Sequence, residues 1–265
     1  MRSIAVVNQK GGVGKTTTTV NLAAALADVG RNVLLIDLDP QHSASTWYKA
    51  IQQGRGAYDL FTDPQADLLG FVMDTAVEGV SILPSSPLMY NVERALASEP
   101  GAEHTLKVKL KKLPASRFDY ILIDCPPSLG LLTINALTAV NEVLVPVEAH
   151  VLGLHGLDKL VQTVGIVKDR LNATLSITGI VACRVKAQTR HAQEVMNDIR
   201  SRFPDVFFDT TIRENVRLTE CPSQGVPITM YAPTSHGADD YRKLAQEVIA
   251  QEKDHEKKGK SRAKA

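Results

Sequence analysis

The sequence predicts an α/β fold, a mostly parallel twisted sheet with helices on both faces. Three observations carry that expectation. Short β-branched runs alternate with helical patterns along nearly the whole chain. Repetition of strand, crossover helix and strand requires parallel pairing, because parallel neighbours cannot be joined by a tight hairpin. Several runs are apolar almost throughout, as strands covered on both sides must be.

In chain order, Ile4 to Asn8 is the first strand and Thr17 to Asp28 the first helix, its apolar residues recurring at helical spacing. Strands follow at Asn32 to Asp37 and Val80 to Pro84, then a helix at Pro87 to Ala97. The intervening Gln52 to Gly79, rich in Gly, Asp and Pro, reads as surface loops and short helices rather than a separate domain. Tyr120 to Cys125, Glu142 to Val147 and Ser176 to Cys183 are strands alternating with helices at Leu129 to Ala139 and Gly156 to Leu171. A helix at Ala192 to Arg202, a weaker strand at Val206 to Thr210 and a helix at Ala238 to Gln251 complete the series. From about Gln251 apolar residues give way to Lys, Arg, Glu and Asp. The expected organisation is one domain over 1–251 and a charged, disordered tail over 252–265.

With 265 residues, 44% hydrophobic and 22% charged, the chain can bury a sizeable core. No apolar stretch approaches the roughly 18 residues that span a bilayer. Met1-Arg2 leads straight into a strand without a signal-peptide layout, so a cytoplasmic location is expected. Cys125, Cys183 and Cys221 are odd in number and widely spaced, which favours neither a disulfide framework nor a zinc site. A formal net charge of +1 does not announce a nucleic-acid binder, and any such activity must come from a local patch.

Between the first strand and first helix lies Lys10-Gly11-Gly12-Val13-Gly14-Lys15-Thr16-Thr17. Glycines there let successive backbone N–H groups face phosphate oxygens, Lys15 adds charge for the β/γ-phosphates, and the Thr16 hydroxyl can ligate Mg²⁺. The helix that follows presents its positive end to the same anion. Gln9 stands where the usual pattern has glycine, and the extra Lys10 marks a variant of the P-loop, the deviant Walker A form.

Two acidic sites follow strands, where open α/β sheets place their ligands. Asp124 ends the apolar run Tyr120 to Ile123 and is suited to support Mg²⁺ and its waters. Asp37 and Asp39 close another strand and lie two residues apart on one face. Asp39 can orient an attacking water near the γ-phosphate, while Asp37 braces the loop or reaches the metal through water.

Asn8 to Thr17, Asp37-Leu38-Asp39-Pro40-Gln41 and Ile123 to Gly130 together closely resemble the ParA family of DNA-partitioning ATPases, within the wider ParA/MinD group. Asn215 to Ser223 and Gly225-Val226-Pro227-Ile228 are similar to that family's C-terminal signature, and the resemblance runs from Met1 to about Ala250. It implies ATP and Mg²⁺ as cofactors and slow ATP hydrolysis by a P-loop ATPase domain. Gly11, Gly12, Val13, Gly14, Lys15, Thr16 and Thr17 would hold the nucleotide, with Thr16 and Asp124 serving the metal and Asp39 positioning the water. Lys10 would cross a nucleotide-sandwich homodimer to the partner's ATP, and Gly12 would lie at that contact. In the family the closed dimer binds double-stranded DNA without sequence preference, and a ParB-like centromere-binding protein stimulates hydrolysis and release. A cytoplasmic, nucleoid-associated location follows.

Non-specific DNA binding needs phosphate-facing cations and should weaken with salt. Arg184, Lys186, Arg190, Arg200, Arg202, Arg213 and Arg217 gather in the C-terminal half, Arg217 within a matched segment. Near position 188, where some relatives carry a DNA-contacting arginine, this chain has Gln188. Arg213 and Asn215 are the expected adenine contacts by resemblance. The cluster Lys107 to Lys112 reads as a half-exposed helix or strand.

The alternatives are weaker. A MinD-like positioning ATPase acting on a protein or membrane cargo needs a C-terminal amphipathic helix with large apolar residues, and after Ile249 the chain offers Gln, Glu, Lys, Asp and His, so no membrane partner is expected. An iron-protein-like reductase needs cysteines bridging two subunits around a cluster. A non-catalytic scaffold would lack Asp39 or Asp124. The two residues before the first strand leave no room for a helix-turn-helix, so the short form of the family is expected.

Overall fold

The computed structural model describes residues 1–50, 56–148, 152–186 and 190–262. Its elements, in order, are β1 (Arg2–Val6), α1 (Lys15–Ala27), β2 (Val33–Asp37), α2 (Ser43–Trp47), α3 (Ala57–Thr62), β3 (Met73–Asp74), β4 (Val80–Leu83), α4 (Val92–Ala95) and α5 (Thr105–Leu110). Then follow β5 (Tyr120–Asp124), α6 (Leu131–Ala139), β6 (Glu142–Glu148), α7 (Leu152–Arg170), β7 (Ser176–Val185), α8 (Arg190–Arg202), β8 (Phe207–Arg213), α9 (Val216–Gln224), α10 (Ile228–Tyr231) and α11 (His236–Arg262).

The sheet runs β3-β4-β2-β5-β1-β6-β7-β8, and every pairing is parallel except β3 with β4. Alternation along the central strand sorts side chains to two layers. Ala5 and Val7 join Ile36, Ile123, Leu137, Leu160 and Ile199 on one side, whereas Ile4 and Val6 join Leu22, Leu35, Leu122, Tyr241 and Leu244 on the other. The expected helices on both faces of a mostly parallel sheet are therefore present. Register places Val6 beside Asp124 and Asp124 beside Asp37. Two carboxylates and the start of the glycine-rich loop thus meet at the C-terminal ends of three central strands.

Differences from the sequence expectation have local causes. Pro87 to Ala97 is a 3₁₀ turn over Pro87–Asn91 followed by the short α4. Met89 and Val92 are buried three residues apart while Leu88 and Tyr90 face solvent, a spacing that suits the tighter turn. The irregular stretch before Gly79 supplies core residues, Ala57, Leu60, Phe61 and Leu68, and the edge strand β3; its residues 51–55 lie outside the described ones. Lys109 is not half-exposed. It turns inward from α5 and donates to the carbonyls of Asp63, Pro64 and Ala66 at 2.9, 3.0 and 2.8 Å, which ties that loop down.

The last helix runs to Arg262, past Gln251, where composition led us to end the folded part. Glu252 anchors its continuation by accepting from Arg31 at 2.8 Å and from the Tyr120 hydroxyl. Among the described residues no helix is long and apolar enough to cross a membrane.

Candidate nucleotide and magnesium site

Gly12 and Gly14 both have positive φ, +76° and +96°, which lets the loop between β1 and α1 curl back over the sheet edge. Space is open where a Gly12 side chain would project, so backbone conformation alone demands glycine there. No side chain caps the first turn of α1. Its free amides are left for an anion, in keeping with the phosphate-cradle reading. Asn8 fixes the loop's entry: its amide donates to the Pro146 carbonyl at 2.7 Å and its Oδ1 accepts from the Lys10 N–H at 3.0 Å.

Within this cradle Lys15 is buried, its Nζ 3.3 Å from the Lys10 carbonyl. Thr16 donates to Asp124 Oδ2 at 2.7 Å, and Thr19 donates to Asp124 Oδ1 at 3.3 Å. Burial pushes Asp124 up to about 8, the nearby charges of Asp37 and Asp39 add to the rise, and Thr16 and Lys15 oppose it. Burial likewise depresses Lys15 against the pull of Asp124 and Asp39. Lys15 alone does not offset the burial of that carboxyl beside two other acids, and a bound cation would add the positive charge that favours its ionised form.

The donor set fits Mg²⁺. No group of three or more His, Cys, Asp or Glu among the described residues is arranged to hold a metal by itself. A hydroxyl and one carboxylate beside an open phosphate cradle match an ion that keeps waters and takes its remaining ligands from a phosphate.

Asp37, fully buried, is a brace. It accepts from the Asp39 N–H at 3.1 Å and from the Ser45 N–H and hydroxyl at 2.9 and 2.7 Å. Ser45 Oγ accepts in turn from the Ser85 N–H at 2.8 Å, and Ser85 Oγ donates to the Asp39 carbonyl at 2.7 Å. The loop bearing Asp39 is therefore held from both flanks, and the Asp39 carboxylate, accepting from the Gln41 N–H at 2.9 Å, faces the cradle.

Two clefts meet at the glycines. One, of about 410 Å³, is lined by Gly11, Gly12, Lys15, Thr16, Asp39 and Pro127, among others. The second, about 370 Å³, is largely apolar and has Ile212, Asn215, Leu218, Thr219, Pro222 and Tyr241 in its wall, while Gly12, Gly14 and Thr17 border both. The first offers the charged and backbone groups that could hold a triphosphate, and the second an apolar surface that could take a heterocyclic base. Val13 is buried beneath the loop. Arg213 and Asn215, the adenine contacts expected from sequence, line this second cleft, and so do Leu218, Thr219 and Pro222 of the C-terminal signature, which β8 and α9 return to the glycine loop and which carry no local signal of that placement.

Asn215 lines the apolar cleft and its Oδ1 caps α9 by accepting from the Arg217 N–H at 2.9 Å. Arg213 is bound through Nε to both oxygens of the buried Asp240 at 3.0 Å, a geometry that spends most of its donors on the fold. Other cations also have acidic neighbours: Arg184 with Glu148 at 3.7 Å, Lys186 with Glu214 at 3.8 Å, Arg217 with Glu220 at 3.1 Å, Arg200 with Asp209 at 3.0 Å, and Arg202 with Asp158. Arg190 begins α8, its side chain outside the described residues, as is Gln188. Lys10 projects from the loop away from its own cradle and pairs with Glu148 at 2.7 Å.

An AAA domain model matches residues 1–177. The chain is 43% identical over 249 residues to the sporulation initiation inhibitor protein Soj of Bacillus subtilis, covering 93% of this chain and 98% of that protein. It is 38% identical over 261 residues to the chromosome partitioning protein ParA of Caulobacter vibrioides, covering 97% of each. The chain belongs to the Soj/ParA family of ATPases. Among solved structures, cobyrinic acid a,c-diamide synthase from Mycobacterium smegmatis with bound ADP and magnesium is similar at 31% identity and a TM-score of 0.83, with 96% of each chain covered. Membership of the Soj/ParA family and the P-loop ATPase fold agree with the two-cleft geometry, and a structural neighbour of that fold was solved with ADP and magnesium bound.

Proposed function

We propose that the chain is an ATP-dependent switch for DNA segregation that uses Mg²⁺, closes as a homodimer around two nucleotides and binds double-stranded DNA in that state. The observation that carries the reading is the position of Lys10. It stands at the mouth of a complete cradle, yet its ammonium is paired with Glu148 rather than with a group of that cradle, a position from which it can serve a nucleotide held by another copy. Lys15 and the α1 amides hold the phosphates, Thr16 and Asp124 the magnesium shell, and Asp39 the attacking water. Bound magnesium neutralises charge on the transferring phosphate.

Shared ATP favours the closed arrangement because it binds that state better, and loss of the γ-phosphate removes the preference. The cations around the glycine loop, Arg184, Lys186 and Arg217 with Arg190 on the next helix, are brought together twice over in a dimer. The acidic neighbours of Arg184, Lys186 and Arg217 keep the single chain from attracting DNA strongly. A ParB-like centromere-binding protein is the partner that speeds hydrolysis, and the ATPase is nucleoid-associated in the cytoplasm.

DNA co-sedimentation with ATP, ADP and no nucleotide tests this. ATP-dependent binding is expected for the unmodified chain, loss in Lys15→Ala, and persistence in Asp39→Ala, whose slowed hydrolysis holds the dimer closed. Equal binding in all nucleotide states would falsify the switch.

A further inference from the structure

We infer that Glu148 is a positioning residue that parks Lys10 in the open chain, and that Arg184 takes over Glu148 when Lys10 leaves to reach the partner's nucleotide. The inference rests on the dimer reading above and assigns how closure is restrained.

Glu148 is the last residue of β6, and parallel pairing sets it beside Cys183 on β7, one residue before Arg184. Two cations lie against it among the described residues: Oε2 is 2.7 Å from Lys10 Nζ and Oε1 is 3.7 Å from Arg184 Nη1. Arg184 Nη1 also approaches the Gly12 carbonyl, at 3.5 Å. One carboxylate therefore bridges the loop's mobile cation to a second cation that already touches the loop. The Lys10 backbone is fixed separately through Asn8, so release of the ammonium requires rotation of a side chain and no refolding of the loop.

Arg184 holds its place at a backbone cost. Its φ is +53°, an unfavourable region for a residue with a Cβ, at the point where the β7–β8 register shifts between Ala182 and Val185. At this irregular point of the strand its guanidinium lies against the glycine loop, at the Gly12 carbonyl. The arrangement makes chemical sense as an exchange. While Lys10 is parked, Glu148 has a close partner and Arg184 a distant one. Once Lys10 crosses to the other subunit, Arg184, 3.7 Å away, needs only a small side-chain movement to take the oxygen Lys10 vacates, and the pair it forms favours the closed arrangement.

Both partners of the Lys10–Glu148 pair are partly exposed, at 38% and 27% of their side-chain surface, so the tether is weak. An ion pair of this exposure is expected to hold Lys10 back by about 5-fold, and two such pairs break per dimer, giving on the order of 25-fold in the dimer constant.

The experiment measures dimer formation by light scattering at rising protein concentration, with saturating ATP and Mg²⁺, in an Asp39→Ala background and without DNA. Glu148→Gln is expected to lower the midpoint concentration by about 10- to 25-fold with unchanged ATP affinity in the monomer. Arg184→Ala is expected to raise it by about 5-fold. Glu148→Ala serves in place of the glutamine variant should that one not fold. A Glu148→Gln midpoint equal to or above that of the background overturns the tether, and an Arg184→Ala midpoint that does not rise overturns the exchange. Should the Asp39→Ala background itself remain monomeric with ATP, the dimer reading fails and the tether with it, a result distinct from either of the others.

Discussion

The two clefts that meet at Gly12 and Gly14 are built in opposite ways. The phosphate side is a dense set of polar contacts from residues close in sequence or at neighbouring strand ends: Lys15 on the Lys10 carbonyl, Thr16 and Thr19 on Asp124, Asp37 under Asp39. The base side is an apolar wall assembled from β8, α9 and α11, with Ile212, Leu218, Pro222 and Tyr241 in it. Charge and hydrogen-bond geometry tolerate little substitution, whereas an apolar surface can be made from many residues. The difference predicts which half fails hard and which fails softly.

Thr16→Ala should be the most damaging test of the contrast. It removes the hydroxyl that both contacts Asp124 and stands where magnesium would be held. The increase in ATP affinity that Mg²⁺ confers should shrink by on the order of 100-fold, while affinity measured in EDTA stays within about 3-fold of the unmodified chain. Titration of a fluorescent ATP analogue with and without Mg²⁺ reads both values. An equal loss in the two conditions would make Thr16 a packing residue and blur the distinction between the clefts.

On the base side, Leu218→Ala should cost less and cost it differently. Leu218 is buried in the apolar wall. Shortening it removes part of the surface a purine ring would cover, and a loss of about 5-fold in ATP affinity is expected, from roughly 1 kcal/mol of lost apolar contact. Inorganic triphosphate, which has no ring to place there, should bind both proteins alike. Were triphosphate affinity to fall as well, Leu218 would act through the glycine loop and the two halves could not be treated as separate.

What the sequence disclosed follows the same division. Lys10 to Thr17 was readable because a phosphate cradle is made by backbone amides of one short segment, and glycines with positive φ leave a local trace. Asp37, Asp39 and Asp124 were readable because apolar strands end in them. The wall of the base cleft was not, since Ile212, Leu218 and Pro222 carry no chemistry that marks them until β8 and α9 bring them to the loop. Glu148 was missed for a related reason: a single carboxylate at a strand end has no motif, and only the β6–β7 register sets it between Lys10 and Arg184. Lys109 was misread because its alternating neighbours resemble an exposed face, and nothing local announces the three carbonyls that bury it. Helix order and strand order survived these errors because both depend on periodicity summed over whole segments.

The smallest expected effect concerns the acids of the phosphate side in the nucleotide-free protein. Burial lifts Asp124 to about 8 and Asp37 to about 6, both above an ordinary aspartate. Their folded forms thus hold protons that the unfolded chain releases at about pH 4. Stability from these protons is fully present below that pH and is lost as pH rises, first through about 6 and then through about 8. The melting temperature of the nucleotide-free protein in magnesium-free buffer should therefore fall by a few degrees between about pH 5.5 and 8.5. Asp124→Asn removes the titrating group and should flatten the upper part of that fall, whereas Leu218→Ala should lower the whole curve without changing its slope. Parallel curves for Asp124→Asn and the unmodified chain would show that Asp124 is already ionised at neutral pH. The cradle would then be prepared for magnesium without any proton to displace.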